Sequence, residues 1–491
     1  MTPTQDDFPI AILGAGFAGI GAAIRLEKAG IHSFTIFERA SDVGGTWRDN
    51  TYPGAACDVP SHAYSLSFEP NPGWSRRYSP SEEIWAYLRS LVEKWGLAAH
   101  LRLDTEIVEA RFDDPSGSWT LTTREGEEHV ARVVISGVGG LVDPKWPDVK
   151  GLERFEGELF HTARWNHDFD LTGRRVGVVG TGASAVQVVP SIAPRVEQLV
   201  VFQRTPGWVV PKRDKAYSER QKRLFERFPA AQWAVRGVQY WLSELFGPTV
   251  YLDSERLARR AERLSLRHLE SQVSDPALRA KLTPTFQFGC KRILISDDYW
   301  ASFELDHVSL VDQPVEEVTT TGVRTRDGAE HDLDVLVFAT GFDLGFVTSP
   351  FPIHGRGGQR LDEAWERGAT AYKGMAVSGF PNWFILMGPN TGPGHTSVLI
   401  YTEAQIEHVL GAIRALREEG LRYLDVRQVA QDRYNAQLQR RMKHMVWTAG
   451  SCHSWYLSAD GSNHSLYPGP AFEYVLRARR FRPRDYEIAR F

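Results

Sequence analysis

An α/β fold with two parallel-sheet units and a helical insertion is predicted for this 491-residue chain by three features. Gly14-Ala15-Gly16-Phe17-Ala18-Gly19 follows an apolar run, Ile10 to Leu13, and opens a segment of helical period. Gly180-Thr181-Gly182-Ala183-Ser184-Ala185 repeats the arrangement after Val176 to Val179, 166 positions further on. Between about Asp214 and Leu282 glycine is scarce and Arg, Glu, Leu, Trp and Phe prevail, a composition that suits helices.

Each element follows from local pattern. After the first glycine turn, Ile20, Ala23, Ile24 and Leu26 recur at helical spacing until Gly30, and Phe34 to Phe37 forms a second strand that ends at Glu38. Val133 to Ile135 is a later strand of the same unit, and Asp143 to Pro147 reads as a connection out of it. The second unit runs through a helix to about Ile192 and a strand, Leu199 to Phe202, ahead of Arg204 and Thr205. Beyond the insertion, Leu336 to Phe338 and Ala339-Thr340-Gly341-Phe342 return the chain to its sheets, and Gly392-Pro393-Gly394 precedes a helix through Ala404 to Leu416. The expected organisation is 1–145 and 341–491 for the first unit, 146–212 and 286–340 for the second, and 213–285 for the insertion.

Glycine turns of this kind let backbone N–H groups approach a pyrophosphate, and the residue ending the next strand reads the ribose beyond it. Glu38 and Arg204 each stand 24 positions after the first glycine of their turn. A carboxylate accepts hydrogen bonds from ribose hydroxyls, whereas a guanidinium suits a 2′-phosphate. The two units are therefore Rossmann-like dinucleotide-binding domains of different kinds, one for FAD and one for NADPH. Ala185 replaces the third glycine of the second turn, an accepted variant of the motif.

Bulk properties exclude other classes. The net charge is −4 with both signs interspersed, so nucleic acid is not an expected partner. No apolar run has the roughly 18 residues of a membrane span, and the acidic start, MTPTQDD, lacks the features of a signal peptide, so a cytoplasmic protein is expected. Cys57, Cys290 and Cys452 are far apart, which excludes a disulfide framework and the closely spaced pair of a disulfide reductase; no metal-ligand spacing occurs either. The insertion reads as a cap that buries Trp233, Trp241 and Phe246, or else as a wall of a substrate pocket or a membrane contact; the cap is preferred to membrane contact because the charges fall on several sides.

The stretch Phe155-Glu156-Gly157-Glu158-Leu159-Phe160-His161-Thr162-Ala163-Arg164-Trp165 fits Phe-x-Gly-x-x-x-His-x-x-x-Trp. It resembles the fingerprint of type I Baeyer–Villiger monooxygenases, within the wider group of flavin-containing monooxygenases. N- and S-oxygenating members usually end the motif with Tyr or Phe, and Asn166 stands where the Baeyer–Villiger pattern commonly has Pro or Asp. The likeness covers nearly the whole chain, through Gly44-Gly45-Thr46-Trp47, Tyr52-Pro53-Gly54, Cys57-Asp58, Lys291-Arg292 and Ser454-Trp455-Tyr456 among others. It implies FAD contacts at Gly14, Gly16, Ala18, Gly19, Glu38, Thr46, Trp47, Asp58, Tyr64 and Val108. It implies NADP contacts at Gly180, Thr181, Gly182, Ala183, Ser184, Ala185, Val186, Arg204, Thr205 and Lys291, with Trp455 also at the cofactor site.

The same resemblance makes Arg292 the catalytic arginine, oriented by Asp58 in a dry pocket, and gives Phe155, Gly157, His161 and Trp165 a conformational role between domains. The implied reaction uses NADPH and O2 to turn a ketone into an ester or lactone through an anionic C4a-peroxyflavin and a Criegee adduct. A guanidinium suits it because its charge persists at any working pH and its proton is not readily donated. Two other readings stay open on sequence: an N- or S-oxygenating flavin monooxygenase, and a flavin redox sensor without turnover.

Overall fold

A computed structural model describes residues 8–343, 351–449, 457 and 461–491. Two five-stranded parallel sheets organise it. The first is ordered Trp383–Ile385, Val133–Ser136, Ile10–Leu13, Phe34–Phe37 and Leu101–Arg102. The second is ordered Val308–Val311, Gln198–Phe202, Arg175–Val179, Val335–Phe338 and Glu158–His161. Strands buried on both faces read as short continuous apolar runs, and Ile10–Leu13, Val133–Ser136 and Val335–Phe338 are buried at every position.

In each sheet the glycine turn leaves the central strand at its C-terminal end, the edge where open α/β sheets bind ligands. The helix Phe17–Lys28 after the first turn packs on the long helix Val398–Glu418, and both contribute to the largest apolar core. The helix Ala185–Ile192 after the second turn buries Val186, Val188, Val189 and Ile192 in a separate core. Two connections between the sheets pair with each other as a short antiparallel ribbon, Asp143–Pro144 against Phe342–Asp343.

The insertion is helical: Glu219–Arg227, Pro229–Phe246, Pro248–Tyr251, Glu255–Gln272 and Pro276–Leu282. Local signals set its boundaries. Ser218 and Gln221 form a capping box, Pro229 occupies the first turn of its helix, and Asp275 accepts N–H bonds from Ala277 and Leu278. The expected cap, however, does not bury its aromatic residues: Trp233 is 48% exposed, Trp241 55% and Phe246 39%. In the helix Pro229–Phe246 the buried residues are Gln232 and Glu244 instead. The helix is amphipathic, but its polar face is the inward one.

Of the described cysteines, Cys57 is a buried free thiol and Cys290 is buried and disulfide-bonded.

Candidate functional site

The first turn is shaped by its glycines. Gly14 has φ +90°, and a Cβ there would stand 2.9 Å from the Gly137 carbonyl oxygen; a Cβ on Gly19 would stand 1.8 Å from the carbonyl oxygen of Gly14. Glu38 is buried at the end of the neighbouring strand, where its carboxylate accepts N–H bonds from Ala15 at 2.8 Å and Ala40 at 3.1 Å. Arg48 donates to the same carboxylate at 3.2 Å. Glu38 is thereby fixed beside the turn at the ligand edge of the sheet. Thr105 N–H donates to the Glu38 carbonyl, and Val108 follows three residues later at a bulge between Ile107 and Glu109.

Gly44 and Gly45, both at positive φ, bring a second loop against the turn, with an added Gly45 Cβ lying 3.3 Å from Gly16 Cα. Thr46 and Trp47 begin the short helix that follows. Trp47 Nε1 donates to Tyr64 Oη at 3.2 Å, and the Tyr64 ring stands edge-on to Phe17, with centroids 5.2 Å apart. Burial pushes the Tyr64 hydroxyl well above its ordinary pKa, with Cys57 and Asp58 adding and Arg292 opposing. Trp47, Tyr64, Asp58 and Arg292 therefore converge beside the first turn.

Arg292 reaches Asp58 across the two units. Its Nε donates to Asp58 Oδ2 at 3.1 Å, and its Nη2 donates to the same oxygen. The protein alone leaves the Arg292 and Asp58 side chains partly buried. The pair bridges the boundary between the units instead of lying inside either core. Cys57, next to Asp58, is fully buried, and burial with the neighbouring carboxylate raises its thiol well above the ordinary value.

The second turn is more open. Gly180 has φ +118°, and its Cβ would meet the Ala339 carbonyl oxygen at 2.5 Å, whereas Gly182 and Ala183 are exposed. Thr181 Oγ1 donates to the Thr205 carbonyl at 2.9 Å, tying the turn to the segment that carries Arg204. Lys291 lies over the Phe286 ring at 4.8 Å, and its pKa is lowered by burial and by the charge of Arg204. Among the described residues, Arg204 and Lys291 form no ion pair. Two cations held near each other without a carboxylate favour an anion between them.

The fingerprint forms the edge strand of the second sheet and the turn after it. His161 is fully buried, its Nδ1 accepts the Ala163 N–H at 3.0 Å, and its ring faces Trp146 and Phe342 from the two sides of the connecting ribbon. Burial, with Arg164 adding, lowers its pKa to about 4. Trp165 packs edge-on against Phe160, and an added Gly157 Cβ would lie 2.6 Å from the Phe155 ring. Trp455 lies outside the described residues.

Sequence reasoning missed Gln187. Its amide accepts from Tyr52 Oη at 2.8 Å and donates to the Ala56 carbonyl at 2.9 Å, which docks the loop of Tyr52, Pro53 and Gly54 onto the helix after the second turn. A Gly54 Cβ would stand 2.2 Å from Ser191 Oγ, so only glycine fits this joint. A glutamine inside a helix carries no signal of such a contact.

The sequence profile of a flavin-binding monooxygenase-like family matches residues 8–231. A Baeyer–Villiger monooxygenase of Pseudomonas aeruginosa is 43% identical over 98% of this chain and 91% of its own length. The chain belongs to the Baeyer–Villiger monooxygenase family. Among solved structures, OTEMO in complex with FAD and NADP superposes with a TM-score of 0.87 at 29% identity, covering all of both chains. A cyclohexanone monooxygenase bound to ε-caprolactone superposes with a TM-score of 0.85 at 29% identity, covering 98% of this chain and 99% of that one. The fold expected from the two glycine turns is thus that of Baeyer–Villiger monooxygenases with both cofactors. No described helix is long and apolar enough to cross a membrane.

Proposed function

We propose that this Baeyer–Villiger monooxygenase binds FAD at the first turn and NADPH at the second and converts a ketone, with O2, into an ester or lactone. The convergence of Arg292 and Asp58 from separate units, beside Tyr64 and Trp47, is the observation that carries this reading. The residues present fit both cofactors. Gly14, Gly16 and Gly19 provide a close-approach turn with Glu38 fixed beside it, and Arg204 and Lys291 provide positive charge for a 2′-phosphate. Bound FAD supplies the redox chemistry with O2, and NADPH supplies the hydride.

The protein's own part is to orient, shield and hold charge. Arg292 places a permanent cation where negative charge develops on oxygen during attack on the carbonyl, and Asp58 fixes the guanidinium plane. His161, held neutral between the connecting segments, together with Trp165 and Phe155, couples the second sheet to the ribbon joining the units. The substrate is a small ketone, as the lactone in the cyclohexanone monooxygenase suggests. NADPH as reductant makes the cytoplasm the proposed location.

The test is a panel of cyclic and open-chain ketones with purified holoenzyme, scored by products heavier by one oxygen atom. Oxygenation of thioethers with no ester from any ketone would favour the N- or S-oxygenating alternative, and no substrate-dependent O2 uptake would favour a redox sensor. Arg204→Ala should raise KM for NADPH about tenfold, the low end for a charge-assisted contact because this guanidinium is exposed and screened. KM for NADH should hardly change; equal losses with both coenzymes would contradict the assignment.

A further inference from the structure

We propose that the outer face of the helix Pro229–Phe246 docks on the surface of an anionic lipid bilayer. The helix carries its polarity inside out. Its only charged residues, Arg236 and Glu244, both point into the protein. Arg236 Nη1 donates to the carbonyls of His62 at 2.5 Å and Ser65 at 3.0 Å, and Glu244 accepts the Ala471 N–H at 2.9 Å. Gln232 donates to the Asn71 carbonyl at 2.7 Å from the same side.

Ala234, Val238, Trp241, Leu242 and Leu245 recur at three- and four-residue spacing on the opposite face, and all are exposed. Leu245 is 76% exposed. The apolar surface continues beyond the helix: Trp241 lies 6.2 Å from Phe472, and Leu476, one turn after Phe472 on the helix Ala471–Ala478, is also exposed. Leu224 and Phe228 are exposed as well, on the helix Glu219–Arg227 and the residue that leads from it into Pro229–Phe246. Contiguous apolar surface of this kind marks an interaction site.

The charges at its rim select the occupant. On the helix Glu219–Arg227 the exposed Arg220, Arg223 and Arg227 outnumber the exposed Glu219 and Glu226, Glu219 being paired with Lys222; past the helix that bears Leu476, where Glu473 is paired with Arg441 and Arg477, Arg479 and Arg480 are exposed, so the excess charge is positive. Tryptophan amid aliphatic residues with a basic border suits the headgroup level of an anionic bilayer, where apolar burial and attraction to acidic lipids add. A second copy of the chain fits less well, because a two-fold contact would bring two basic rims together. The helix lies on the surface rather than spanning it, consistent with the absence of a described helix able to cross.

The FAD-loaded full chain should co-sediment with vesicles of phosphatidylcholine mixed with phosphatidylglycerol, bind those of phosphatidylcholine alone less, and release from the anionic ones as salt is raised. Trp241→Glu combined with Leu245→Glu should lower partitioning roughly tenfold or more, with FAD content and melting temperature unchanged because both positions are exposed. Arg220→Glu with Arg223→Glu and Arg227→Glu should abolish the preference for anionic lipid. If the first double variant does not fold, quenching of wild-type tryptophan fluorescence by brominated lipid decides the matter. Absence of binding or quenching with the wild type overturns the proposal, as does undiminished binding by folded variants. A wild-type dimer that ignores vesicles and is split by Trp241→Glu with Leu245→Glu would also overturn it and assign the face to a second copy.

Discussion

Arg292→Ala should leave reduction of the flavin by NADPH intact while ester formation falls by roughly 10²–10³-fold or more, the scale of losing a donor aimed at developing negative charge. The two half-reactions draw on different parts of the chain. Hydride delivery depends on the two glycine turns and on Arg204 and Lys291, whereas Arg292 stands at the boundary between units, bonded to Asp58. Rapid-mixing absorbance without oxygen reads the first half-reaction, and product mass reads the second. With the guanidinium gone, NADPH oxidation should continue but appear as hydrogen peroxide instead of ester.

Arg292→Lys should not restore ester yield, because an ammonium makes a single contact where Nε and Nη2 now both engage Asp58, and it gives up its proton more readily. Asp58→Asn should give an intermediate loss, since the cation stays but its fixed plane is lost. Normal ester yield from Arg292→Ala would remove Arg292 from the chemistry and leave its pairing with Asp58 as a structural ion pair.

What the sequence disclosed follows from how local each feature is. The glycine turns, Glu38 and Arg204 are legible because strand, turn and next strand lie within one short segment, and spacing there determines position. Arg292 and Asp58 are 234 residues apart, and their contact depends on how two sheets are set against each other, so only resemblance to a family points to it. The insertion shows a different limit. Helical periodicity separates Gln232, Arg236 and Glu244 from Val238, Trp241 and Leu245, but it assigns neither face to the interior. Aromatic residues default to the core because most helices bury their apolar stripe; here backbone carbonyls of His62 and Ser65 and the Ala471 N–H select the polar stripe instead.

Gly19→Ala should yield protein largely without FAD, although it adds one methyl group at a site where the second turn carries alanine. The two turns share a spacing but not a tolerance. At Gly19 the methyl would lie 1.8 Å from the Gly14 carbonyl oxygen, 3.0 Å from the Gly14 carbonyl carbon and 3.3 Å from Ile12 Cγ2. The obstructing atoms nearest to it are backbone, so relief requires the helix Phe17–Lys28 to move off the strand, and that helix is packed on Val398–Glu418 behind it. Overpacking of this type costs about 1–3 kcal/mol, and the displacement falls on the N–H groups that a pyrophosphate needs, so a loss of roughly 10²-fold in FAD affinity is expected. Ala185, by contrast, is fully buried without such a clash in its own turn, and Ala185→Gly should cost only about 1 kcal/mol of helix stability with NADPH kinetics preserved. Bound FAD per polypeptide after gel filtration, read beside the melting temperature of each variant, separates the two turns. Full FAD content and a wild-type melting temperature for Gly19→Ala would show that the first turn relaxes as readily as the second.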